Sequence, residues 1–379
     1  QGNWQVSLTD LSATEIRPTR DLLHALPPQL RDTVTKIGLN GPMSLAGNLA
    51  FAGGPGLLTT SSWNVDIDIE DGNITSGLEL NHIRGGVSLN GYHNAKDGVT
   101  CDGEFKVDSL VYQNLLLTWI RGPFHVQRDQ ILVGSWVPMR NNRPPRRATA
   151  NSLGGIASLD AQVKLLPNTP YSLYLTIAQG KLNEIAQEFS AGGKNISGRV
   201  RGSLELSGNA TGSESWFGQG GVQLEDADIY ELPLIVALLT PLRSKPRERS
   251  AFTSANLKYR IVGQNIYFDP IVLTGDALTL RGVGKMKLDR TIDMRFYTLV
   301  GNDNQYLPIL RPVFGVASSQ FLEIQLGGKL DNPEITRKAF PKVNETLRQL
   351  FPEIETADNK DSQQVNGQTS RLRPLPPRR

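Results

Sequence analysis

The sequence predicts a mainly β protein: one elongated, curved antiparallel sheet, folded like a taco into an apolar groove, with a few short helices. Three observations carry this. Apolar and polar residues alternate at period 2 through most of the chain, and Gly, Asp or Asn break the runs about every 8 to 12 residues, as in successive strands with one apolar face. Glycine (37) and proline (23) make up about one residue in six and hydrophobic content is 39%, which favours many turns over long helices. No run of 18 or more apolar residues is present, the length a bilayer-crossing helix needs.

Taken in order, Trp4, Val6 and Leu8 alternate as a first strand. Asp21 to Lys36 has helical spacing in Leu22, Leu23, Leu26, Leu30 and Val34, interrupted by Pro27-Pro28. From Ile37 to Val133 the pattern is strand after strand: Leu45, Phe51, Trp63, Val65, Ile67, Val87, Leu89, Phe105, Val107, Phe124 and Val126 mark the apolar positions. Residues 1–140 therefore read as the first half of a β-groove with an N-terminal helical segment. Residues 141–155 have no period and several breakers, and are expected to form an exposed loop joining two halves. The second half, 156–355, opens with a hairpin (Ala161, Val163, Leu165; Leu173, Leu175, Ile177), then a short helix over Lys181 to Phe189.

The segment from Gly220 to Val300 organises this half. A strand ending in Glu225-Asp226 passes into Leu232-Pro-Leu-Ile-Val-Ala-Leu-Leu239, one or two helical turns with proline tolerated at the start. After a basic loop the period returns to 2, with Leu257, Tyr259 and Ile261 alternating against Lys258 and Arg260. Leu322, Ile324 and Leu326 form a last strong strand, and Asn332-Pro333 is expected to start an amphipathic helix through Ile335, Phe340, Val343, Leu347 and Phe351. Residues 356–379 have little to bury and read as a disordered basic tail. That tail holds the chain's net charge of +3, so the body is neutral and lacks the basic face expected of a nucleic-acid binder.

Residue patterns that carry chemistry are few. A lone Cys101 excludes an internal disulfide and a cysteine-based metal site. His24, His82, His93 and His125 are scattered. Asp66-Ile-Asp-Ile-Glu-Asp-Gly72 puts its glycine one place too late for a calcium loop and reads as the wet face of a strand. No nucleophile elbow, phosphate loop or dinucleotide fingerprint appears, so the expectation is a non-enzyme with no cofactor.

Three segments carry a resemblance: Gly221-Val-Gln-Leu-Glu-Asp-Ala-Asp-Ile-Tyr-Glu-Leu-Pro-Leu-Ile235, Phe252-Thr-Ser-Ala-Asn-Leu-Lys-Tyr-Arg-Ile261 and Leu278-Thr-Leu-Arg-Gly-Val-Gly-Lys-Met-Lys-Leu-Asp289. Over about residues 190–330 the chain resembles the C-terminal region of AsmA-like proteins, a group related to TamB and to bridge-like lipid-transfer proteins. It departs at Ala227, where that group commonly has glycine. The resemblance implies a periplasmic envelope protein, held to the inner membrane by an N-terminal anchor preceding this sequence. It also implies a role in lipid transport or outer-membrane biogenesis, with phospholipid or another acyl lipid as ligand and other envelope proteins as partners.

The residues agree with a groove, since many strands have one apolar face and too few helices are available to cover it. The expected lipid-binding floor is Leu257, Tyr259, Ile261, Ile266, Phe268, Leu278, Leu280, Met286, Leu288, Ile292, Met294, Phe296, Leu322, Ile324 and Leu326. Two rival readings stand beside it. In one, the apolar face is the core of a closed sandwich or solenoid. In the other, the protein is a surface or scaffold β-protein that binds glycan or protein on its outer face, with Tyr174, Tyr297 and Trp119 as candidate contacts.

Overall fold

A computed structural model describes residues 2–339 except 26–34, 36–37, 76–78, 95, 97, 139–143, 189–195, 230–231, 243–251, 276–278 and 300–320. The chain forms one long antiparallel sheet of 19 strands, elongated and curved, with three helices among the described residues.

The sheet begins at β1 (Trp4–Ile16), which pairs with β3 (Met43–Gly54); β2 (Leu39–Asn40) is a two-residue lead into β3. A meander follows through β4 (Leu57–Ile74), β5 (Leu80–Asn94), β6 (Gly98–Tyr112) and β7 (Leu115–Gln127). Two short strands, β8 (Gln130–Val133) and β9 (Ala148–Ser152), share the next place in the row, each bridging β7 to β10 (Gly155–Lys164). The meander resumes as β11 (Tyr171–Lys181), β12 (Ser197–Gly208), β13 (Phe217–Asp228), β14 (Ser254–Val262) and β15 (Asn265–Thr274). It closes as β16 (Thr279–Lys287), β17 (Ile292–Leu299), β18 (Phe321–Lys329) and β19 (Asn332–Ala339). Strands about 4.8 Å apart make this row about 80 Å long if laid flat.

Two expectations are corrected. The segment 141–155 is not a loop throughout, because β9 is a strand in the middle of the sheet. Its residues, Ala148-Thr-Ala-Asn-Ser152, include no large apolar side chain, and it runs so close to β7 that a Cβ at Gly122 would lie 2.5 Å from the Ala148 Cα. The strand therefore carries no hydrophobic signal. Nor is Asn332–Ala339 the start of a helix. Those residues pair with β18 along their whole length, and the edge of a sheet tolerates Pro333. The rest of that expected helix and the tail 356–379 lie outside the described residues.

The helices are α1 (Arg20–Ala25), α2 (Leu182–Glu188) and α3 (Pro233–Leu242). α3 carries no charge, starts on proline, and lies across β18 and β19. Ile235, Ala237 and Leu238 of α3, with Leu182 and Ala186 of α2, share one core cluster with Val200, Ala255, Leu280, Phe296 and Ile324 of the sheet. α3 therefore packs on the sheet's apolar face at its C-terminal end, and α2 on the same face at β11 and β12. A smaller cluster of Ile69, Ile83 and Val107 lies in the first half.

On the other face a buckle holds the middle of the sheet. The Asp160 carboxylate accepts from Arg147 Nε at 2.8 Å and from the Ser135 amide at 2.6 Å. Arg147 also donates to Thr176 Oγ1 and to the carbonyls of Ser158 and Tyr174. One guanidinium thus ties β10 and β11 to the segment that leads into β9.

Candidate lipid-binding face

Residues directly opposite in antiparallel strands point the same way, so the registers trace each face across the sheet. One row reads Leu49, Trp63, Gly91, Cys101, Val126, Ile131, Val163, Tyr171 and Gly208, from β3 to β12. Another reads Leu159, Leu175, Leu204, Gly220, Tyr259 and Phe268, from β10 to β15. A third ends the sheet with Gly282, Phe296 and Ile324. A register shift between Phe268 and Ile271 keeps Ile266, Phe268, Ile271 and Leu273 on this same inner face despite the change of parity. The inner face is apolar from β1 to β18.

Glycines on this face serve the aromatics. Trp4 is opposite Gly53, Trp63 opposite Gly91, Phe124 opposite Gly103, Tyr259 opposite Gly220 and Phe296 opposite Gly282. A Cβ would come within 2.7 Å of Trp4 at Gly53, 2.8 Å of Trp63 at Gly91 and 2.6 Å of Phe296 at Gly282. The rings lie down over the neighbouring strand instead of standing up from the sheet, and the face is levelled.

The expected floor residues divide. Ile261, Leu280, Ile292, Met294, Phe296, Ile324 and Leu326 are buried, with Leu280, Phe296 and Ile324 at 0% exposure. All but Ile261 belong to the core cluster shared with α2 and α3, not to an open floor. Leu257, Phe268 and Met286 are half-buried and pack against that core, and Ile266 is half-buried beside them. Tyr259 lies over Gly220 with its hydroxyl on the Ser203 carbonyl, and burial pushes its phenol above the ordinary value. Leu288 is past the end of β16 and exposed, so it is not part of the floor. Leu322 stands opposite Thr298 on β18, and Leu278 is outside the described residues.

Open apolar surface lies instead on β1 to β10 of the same face, which no described helix of the core cluster touches, and extends along the part of β11 and β12 that α2 leaves clear. Phe51, Leu89, Phe105, Val126, Leu173 and Leu204 are only half-buried, whereas Val222 on β13 already packs against the core cluster. Leu175 is 38% exposed, and Val6 and Leu8 on β1 are 49% and 43% exposed. Their alternation was as visible as that of the C-terminal strands; what the sequence could not show was which part α3 would cover. Polar side chains hold the other face: Asp66, Asp68, Ser88, Glu104 and Lys106 fall between these positions. Of the rival outer-face aromatics, Tyr297 is fully buried, while Tyr174 and Trp119 are exposed.

No group of three or more metal-ligating side chains occurs among the described residues. Cys101 sits on the inner face opposite Gly91, and burial raises its thiol pKa, which the hydrogen bond with Trp63 only partly offsets. No protein-family model, curated protein or solved structure matches the chain.

Proposed function

We propose that the chain is the lipid-carrying part of a non-enzymatic envelope protein, shielding acyl chains against its inner face during lipid transport between membranes or outer-membrane biogenesis. The observation that carries the reading is the apolar surface from β1 to β12 that, among the described residues, stays half-buried beyond the helix-covered core and is levelled by its aromatic–glycine pairs. A two-chain lipid exposes about 30 methylenes to water at about 0.8 kcal/mol each, so about 24 kcal/mol opposes unassisted transfer. An apolar strip removes most of that cost while headgroups stay wet, and no residue need do chemistry. The resemblance to AsmA-like proteins supports the same ligand class and adds a periplasmic location with an inner-membrane anchor.

Transfer of a fluorescent phospholipid between vesicles tests it. Val126→Glu and Leu175→Glu, each placing a charge on open inner surface, should lower the rate several-fold. Arg295→Glu on the exposed outer face should leave it unchanged. Folded Val126→Glu and Leu175→Glu proteins that transfer as fast as the parent would refute the proposal.

A further inference from the structure

On the outer face, Tyr174, Glu205, Gln219, Arg260 and Tyr267 are successive cross-strand partners from β11 to β15, one straight row. A hollow of about 580 Å³ opens along it. The hollow exists because the neighbouring row holds only Ser203 on β12 and Gly221 on β13, before Lys258 rises on β14. The tyrosines mark its ends, four strand spacings or about 19 Å apart. Arg147 stacks 4.8 Å from the Tyr174 ring centroid and Arg260 5.4 Å from that of Tyr267, which fixes both rings. The two residues nevertheless remain 39% and 36% exposed. Between them, Gln219 Nε2 donates to Glu205 Oε2 at 3.0 Å.

We propose that this hollow binds a neutral oligosaccharide of about four pyranose rings, laid across the strands. Flat aromatic surface at each end suits the C–H faces of sugar rings. The planar amide, carboxylate and guanidinium between them offer paired donors and acceptors to vicinal hydroxyls. Charge is balanced, Glu205 and Asp269 against Lys258 and Arg260, which favours neither a polyanion nor a polycation. The backbone groups of β12, β13 and β14 are spent on their own ladders, so a peptide cannot add here as a strand. The site is on the opposite face from the lipid surface and stands without it.

Calorimetric titration of the full chain with cellotetraose, maltotetraose and chitotetraose tests this. At least one should bind with a millimolar or tighter dissociation constant. Tyr267→Ala and Gln219→Ala should each weaken it by roughly tenfold, a loss of about 1.4 kcal/mol, with thermal melting unchanged. Tyr267→Phe, which keeps the ring, should bind like the parent, and so should Val126→Glu, which alters only the inner face. No heat from any of the three sugars, or binding that survives both alanine substitutions, would overturn the proposal.

Discussion

The Tyr259 hydroxyl on β14 donates a 2.8 Å hydrogen bond to the Ser203 carbonyl on β12, reaching across the whole width of β13. It can do so because Gly220 stands between them with no side chain. The ring therefore lies along the sheet, and the same device recurs where Phe124 covers Gly103 and stacks on Phe105 at 4.6 Å.

Restoring a side chain under such a ring should force it upward. Gly220→Val is expected to cost about 1–3 kcal/mol in chemical denaturation, the usual penalty of overpacking. Tyr259→Phe, which loses only the hydrogen bond, should cost about 0.5–1.5 kcal/mol.

The raised Tyr259 phenol has a pH consequence. Burial favours the neutral form in the folded state, so its contribution is complete below the unfolded value near 10.0 and is lost as pH rises through the folded value. The parent should lose stability above pH ~10 more steeply than Tyr259→Phe. Parallel alkaline profiles would contradict this.

Asp289 acts at the other end of the scale. Its carboxylate accepts from the Thr291 amide at 3.0 Å and faces Lys329 Nζ at 3.2 Å, and these hydrogen bonds hold its pKa down to about 2. A depressed pKa stabilises the fold above the unfolded value and is lost as pH falls toward about 2. Asp289→Asn should therefore differ from the parent at neutral pH and converge with it near pH ~2, as read by denaturation midpoints.

Much of the sheet was legible because period-2 alternation names a strand's face directly, as at Trp63, Val65 and Ile67. β9 was not, because Ala148-Thr-Ala-Asn-Ser152 has no large apolar residue to mark an alternation. β19 misled for the reverse reason: Asn332-Pro333 is a good helix start, and pairing with β18 overrode it. The aromatic–glycine pairs depend on register between strands, which one sequence does not display. The burial of the expected floor was illegible for a related cause. Alternation tells which face Leu280, Phe296 and Ile324 occupy but not that α3 lies on it.

That burial makes a contrast. Ile324→Glu and Met294→Glu would put an unpaired charge in closed core and should destabilise or prevent folding, by several kcal/mol. Leu175→Glu, at a 38% exposed position, should fold. Circular dichroism melts compared across the three variants would check this.

The buckle should matter to stability and not to lipid transfer. Asp160 is 3% exposed and its charge is met by Arg147, so Arg147→Ala strands a buried carboxylate at a cost of about 3–5 kcal/mol. Lipid transfer by the surviving folded fraction should be unchanged.

The central claim is that acyl chains lie on the open part of the inner face, and photo-crosslinking tests it most directly. The full chain would be loaded with a phospholipid bearing a diazirine in its acyl chain, irradiated and mapped by peptide mass spectrometry. Adducts should concentrate on inner-face positions such as Phe105, Val126, Leu173 and Leu204, and avoid the closed core at Leu280 and Phe296. No lipid adducts, or adducts spread equally over outward residues such as Lys106 and Glu205, would contradict the account.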